Sequence, residues 1–159
     1  MSRERLTTQE DTHSFRIRNK TMTLSAIKEQ VDILGGQINA PHHLYPTYGR
    51  SADGALPHIE LDGSDTFHFV VVERGQELER RTTTALDDLL YWIFDTITFS
   101  MACTFELANR NHAQDFRRIL FSHQEELLGR INVNWQERKR TNHNLTLSRH
   151  PFTDAVFNA

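Results

Sequence analysis

From Leu89 to Phe105 the chain reads LLYWIFDTITFSMACTF, an apolar or small-polar run holding a single charge, Asp95. Leu86, Leu90, Ile93, Ile97, Met101, Phe105 and Ala108 recur at helical spacing. Tyr91, Trp92, Phe94, Phe99 and Cys103 carry the apolar surface round most of the circumference. A helix that is apolar on most sides is buried on most sides, so this run predicts a central core helix. Thr84, followed three positions later by Asp87, reads as its N-terminal cap. Asp87 and Asp88 set negative charge at the positive end of the helix dipole.

The pattern elsewhere is amphipathic. Leu24, Ile27, Val31 and Leu34 form one stripe of a first helix, which Gly35-Gly36 is expected to stop in the left-handed C-cap conformation. Ile38 to Tyr48 holds Pro41 and Pro46 among aromatic residues and reads as a broken, edge-like extended segment. A three-part meander follows. His58–Leu61 is a short strand, Asp62–Asp65 a turn, Thr66–Arg74 the strongest strand, and Glu77–Thr83 a polar edge strand. Phe67, Phe69 and Val71 lie on one face of the strong strand and His68, Val70 and Val72 on the other, which predicts an inner strand at least partly covered on both sides. The charges of the last strand discourage pairing with other chains.

After the central helix, Asn109-Arg110-Asn111 marks a break. A second helix is expected near Ala113–Arg130, with Phe116, Leu120, His123, Leu127 and Ile131 as its stripe and Gly129 fraying its end. Asn132 or Asn134 caps a third helix beginning at Trp135, and His150-Pro151 ends it. The fold class is therefore α+β: an N-terminal helix, a small antiparallel sheet, then two to three packed C-terminal helices around one buried helix. Residues 1–22, rich in charged and polar side chains, are expected to form a poorly ordered tail, leaving one domain over residues 23–157. Met22 is an alternative start, because the first clear element begins just after it.

The totals narrow the function. A length of 159 residues suits one domain with one good core. A net charge of −3 argues against broad nucleic-acid binding, which wants a basic face. One cysteine excludes an internal disulfide and fits a reducing compartment. The N-terminus lacks the apolar centre of a signal peptide, and the central run is short for a membrane span and interrupted by Asp95. These features point to a cytoplasmic protein with no membrane partner.

Two groups of side chains are site candidates. Glu106 and Arg110 stand four apart with the acid first, and Asp115, Arg117 and Arg118 follow closely. This cluster fits a hydrogen-bonded structural hub, or an acid/base or anion site; the structural reading is favoured because ion-pair networks shift titrations without doing chemistry. Asp53, Glu60, Asp62 and Asp65 form an acidic stretch, either a solvated rim or a patch for a basic partner. Nine histidines raise the question of a metal, but His42-His43 point apart if extended, and His112, Asp115 and His123 lack compact ligand spacing. No metal or cofactor is expected. Cys103 reads as packing rather than nucleophile, and Tyr91, Trp92, Phe94 and Phe99 as core.

The stretch Leu86–Leu128 resembles the bacterial polymorphic-toxin immunity protein 63 family. The features that carry the likeness are Leu90-Tyr91-Trp92-Ile93-Phe94, Met101-Ala102, Glu106 with Asn109-Arg110, and Asp115-Phe116-Arg117-Arg118. Val72-Glu73-Arg74-Gly75 and Pro151-Phe152 with Asp154 extend it over roughly Thr23 to Asp154. The resemblance implies a small cytoplasmic protein, not an enzyme, that binds and neutralises a cognate toxin protein. Glu106, Arg110, Asp115, Arg117 and Arg118 carry over as a polar hub. The rival readings are a small enzyme using that cluster and a homo-oligomeric scaffold joined through its aromatic helix.

Overall fold

A computed structural model describes residues 21–155. The tail expected over 1–22 lies outside the described residues except for Thr21 and Met22, as do residues 156 and 157 of the expected domain. The elements in order are α1 (Leu24–Gln37), a 3-10 turn (His42–Leu44), β1 (Thr47–Tyr48), β2 (Pro57–Leu61), β3 (Phe67–Glu73), β4 (Gln76–Thr83), α2 (Leu86–Ala108), α3 (Arg117–Ile131) and α4 (Val133–Arg149). This is the α+β arrangement expected from the sequence. The meander β2–β3–β4 is antiparallel, and the two residues of β1 pair parallel with β2 at the other edge, so the sheet is mixed in the order β1-β2-β3-β4.

The molecule has two layers. Ile59, Phe67 and Phe69 on one sheet face meet Ile27 and Val31 of α1 and the buried side of α2. Leu127 and Leu128 of α3 and Trp135 of α4 complete the same core. Trp135 stacks on Phe94 with ring centroids 5.9 Å apart and meets Tyr91 edge-on, while its indole N–H donates to Asp87 Oδ1 at 3.0 Å. The other sheet face carries His58, Glu60, His68, Val70, Arg80 and Thr82 in cross-strand register. Val70 is fully buried there, so β3 is covered on both sides.

Several boundaries differ from the sequence reading for local reasons. α1 runs through Gly35 and Gly36 to Gln37. Its left-handed residue is Asn39, with φ 52°, and the Ala40 and Asn39 amides donate back to the Gly35 and Gly36 carbonyls. This is a Schellman cap built on asparagine. Gly35 serves instead as a close approach, because the Tyr45 side chain occupies the space a Cβ would need. Thr84 does not cap α2. Ala85 holds the cap position with no side-chain cap bond, and the Thr83 hydroxyl accepts the Ala85 N–H.

α3 begins at Arg117 rather than near Ala113, because Asn111 closes a turn: its side chain accepts the Ala113 N–H and its carbonyl the Gln114 N–H. Phe116 is accordingly 51% exposed, and the buried stripe of α3 is Leu120, Gln124, Leu127 and Leu128. Gly129 lies inside the helix, where its missing side chain admits Gln136 of α4. Asn132 caps α4 by accepting the Asn134 N–H, and the helix ends at Arg149 before His150-Pro151.

The largest correction concerns α2. Phe99 is 49% and Phe105 40% exposed. α3 packs along this half of α2, with Gln124 bonded to Asp95 and the His123 ring stacked on Phe105, but it covers only one face and leaves Phe99 and the outer side of Phe105 in water. Cys103 is partly exposed rather than enclosed, with burial raising its thiol above the ordinary value.

Candidate functional site

The polar hub is two adjoining constructions. At the end of α2, Glu106 is buried and Arg110 grips it with two parallel bonds, Nε to Oε1 and Nη2 to Oε2, both 2.8 Å. The Arg110 guanidinium holds the Glu106 carboxyl below the usual carboxylate range. Arg110 lies just past the Asn109 cap, outside the helix, and its side chain turns back onto the last turn.

The second construction ties the start of α3 to the segment after α4. Asp115 accepts from Arg117 through Nε (3.0 Å to Oδ1) and Nη2 (2.6 Å to Oδ2), from the Arg117 backbone N–H (3.0 Å) and from the Thr153 N–H (2.9 Å). Arg117 also donates to the carbonyls of His150 and Pro151 at 2.8 and 2.9 Å. Arg118 grips Asp154 with bonds of 2.9 and 2.8 Å, and Asp154 Oδ1 accepts the Asp115 N–H at 3.0 Å. The Arg118 guanidinium also lies over the Phe152 ring, 4.1 Å from its centroid. The Arg117 side chain, foremost, holds the Asp115 carboxyl far below its usual range. Arg110, Asp115 and Arg117 line one open cleft with His112, Phe116 and Thr153.

The acidic stretch is not one patch. Glu60 accepts from Arg80 at 2.8 Å and meets His58 Nε2 at 2.8 Å, which holds its carboxyl down at about 2, with Arg80 the larger cause. Asp62 accepts the Ser64 hydroxyl and the Ser64 and Thr66 amides through Oδ1, and His68 Nε2 lies 3.0 Å from Oδ2. Asp53 and Asp65 are exposed, form no ion pair among the described residues, and lie beyond opposite ends of β2. Their positive φ angles mark both as turn residues.

Other polar links escaped the sequence reading. Gln124 is fully buried and donates through Nε2 to Asp95 Oδ1 (3.0 Å) and to the Asp95 carbonyl (3.1 Å). Lys139 of α4 reaches the same carboxylate at 2.7 Å, so Asp95, the one charge of the apolar run, joins three helices. Gln124 sits four residues after Leu120 and four before Leu128, and that position was the signal. His143 stacks on Phe121 at 3.8 Å and meets Glu125 at 2.7 Å; His123 stacks on Phe105 at 3.8 Å. No group of three or more His, Cys, Asp or Glu among the described residues is placed to hold a metal ion. No described helix is long and apolar enough to cross a membrane.

No curated protein and no solved structure matches the chain. The sequence profile of one family, Immunity protein 63, matches residues 63–145, just over half of the 159 residues. That span runs from the turn before β3 through most of α4, and it contains the core helix, Glu106 with Arg110, and Asp115 with both following arginines. The chain belongs to the Immunity protein 63 family.

Proposed function

We propose that this protein binds a cognate polymorphic toxin in the cytoplasm of the producing cell and neutralises it by occupying it, one molecule for one, without catalysis. Family membership carries the reading. The state of the hub carboxylates supports it over the enzyme alternative. Both oxygens of Asp115 and of Glu106 are taken by arginine or backbone donors, and both groups are held ionised. A carboxyl poised for general acid or base work sits near the working pH instead. The hub braces helix ends, which is what a rigid binding body requires.

The test is a titration. The toxin to be tested is the C-terminal domain of a large secreted protein, sought directly upstream of this gene. Its activity is measured against increasing amounts of the purified chain, beside a growth assay on co-expression. Inhibition is expected to end at an equimolar point, with growth restored. Loss of toxin activity at a small fraction of equimolar would show turnover, and unrestored growth would remove the immunity role.

A further inference from the structure

Three depressions cross the C-terminal end of α2 and the start of α3, and each shares walls with the next. The first, about 420 Å³, is apolar and lies between the His42–Leu44 turn and α2, with Pro41, Leu44, Met101, Phe105 and His123 among its walls. Phe105 and His123 also bound the second, together with Gln114 and Arg118. Gln114 in turn bounds the third, with Arg110, His112 and Phe116. The result is one groove, greasy at one end and polar at the other.

The polar end is electrically one-sided although its ion pairs cancel. The Glu106 side chain is 3% exposed while its partner Arg110 is 41% exposed, and Asp115 likewise lies behind Arg117. At Arg110 and Arg117 a visitor therefore meets guanidinium before carboxylate, while Arg118 and its partner Asp154 are exposed to about the same extent. Arg110 and Arg118 each commit Nε and Nη2 to an acid, and Nη1 of each makes no hydrogen bond among the described residues. Glu126, a carboxylate on the middle rim, is bridged to Arg130. Phe105 and Phe116 hold large ring areas in water along this path. Exposed aromatics beside arginines with spare donors are the usual centre of a protein interface.

We infer that this groove receives an acidic segment of the partner protein, with an apolar side chain of that segment seated between Leu44, Met101 and Phe105 and its carboxylates against Arg110 and Arg118. The inference rests on the partner being a protein, as the proposed function has it. Charge complementarity decides the occupant: a basic segment would meet the guanidinium side of each buried pair.

Gln114 makes the test clean, because it is exposed and lies where two of the depressions meet. The full chain is titrated with two synthetic peptides of Leu and Phe interspersed with Glu or with Lys, and separately with the toxin domain sought for the test above. Gln114→Glu should weaken the acidic peptide and the toxin domain by about fivefold, more at low salt, and Gln114→Lys should strengthen both. Phe105→Ala should weaken both by about tenfold or more. Equal binding of the two peptides, or toxin binding indifferent to Gln114→Glu and to Phe116→Glu, overturns the inference. In the second case the Asp62→Lys, Asp65→Lys double variant shows whether the β2–β3 turn is the contact instead. A chain that binds the acidic peptide with this dependence on residue 114 but gives no protection leaves the groove standing and removes the proposed function.

Discussion

Gly35 of α1 faces the Tyr45 side chain so closely that a Cβ placed on it would lie 2.0 Å from the hydroxyl oxygen. The contact sets the 3-10 turn against the first helix, and that turn forms one wall of the apolar end of the groove. Gly35→Ala should therefore cost about 1–3 kcal/mol, the scale of overpacking in a closed site. Gly36→Ala meets nothing within 4 Å and should gain about 0.5–1 kcal/mol, the helical advantage of alanine. Urea denaturation of the two variants checks the contrast, and equal effects would mean that Tyr45 does not hold this position in solution.

Asp95 is tolerable inside the helical layer because Gln124 and Lys139 converge on it. Gln124→Glu sets a second carboxylate against the first in a buried site. It should destabilise the fold by about 3 kcal/mol, the order of an uncompensated buried charge. Gln124→Leu removes a donor without adding charge and should cost only about 1–2 kcal/mol. The order of the two midpoints in chemical denaturation is the observation that matters.

Burial lowers the His143 imidazole below its ordinary value, outweighing the opposing pull of Glu125. His123, buried against Phe105, shifts the same way. The unfolded chain then takes up these protons at a higher pH than the native one. The stabilisation is complete above the unfolded value near 6.5 and drains away as pH falls below it towards the native values. The unfolding free energy should drop between about pH 7.5 and about pH 5.5. His143→Phe, which keeps a ring against Phe121, should flatten part of that slope.

Trp135 couples α4 to α2 through two aromatic contacts and one hydrogen bond. Trp135→Ala should cost about 3–5 kcal/mol. Trp135→Phe keeps much of the ring contact and gives up the bond to Asp87, so it should lose about 1 kcal/mol. Thermal unfolding followed by far-ultraviolet dichroism distinguishes these values.

Much of this architecture was legible in the sequence. The stripe Ile27–Val31, the alternation Phe67–Phe69 and the run around Ile93 specify their elements through periodicity, which burial then honours. Cap chemistry was less legible where several residues of the right type compete. Asn39 took the left-handed position that two glycines advertised, and Ala85 took the cap position expected of Thr84, with Thr83 bonding only the Ala85 amide. Enclosure of a long helix was not legible at all. The exposure of Phe99 and Phe105 depends on which face of α2 the later helices cover, which no local pattern encodes. Within the candidate site the Glu106–Arg110 pair followed from spacing, whereas Thr153 and Asp154 as partners of Asp115 and Arg118 lie too far along the chain for any spacing rule.

That long separation bears on how the protein is born. While the ribosome is still adding α4, the Asp115 carboxylate can meet Arg117 but not the Thr153 amide, and Arg118 has no Asp154 to hold. The final stitches at the head of α3 wait until residues 150–154 have been made and have emerged. A released chain cut just after α4 would keep Leu127, Leu128 and Trp135 for its core and leave Arg118 with no acid to hold.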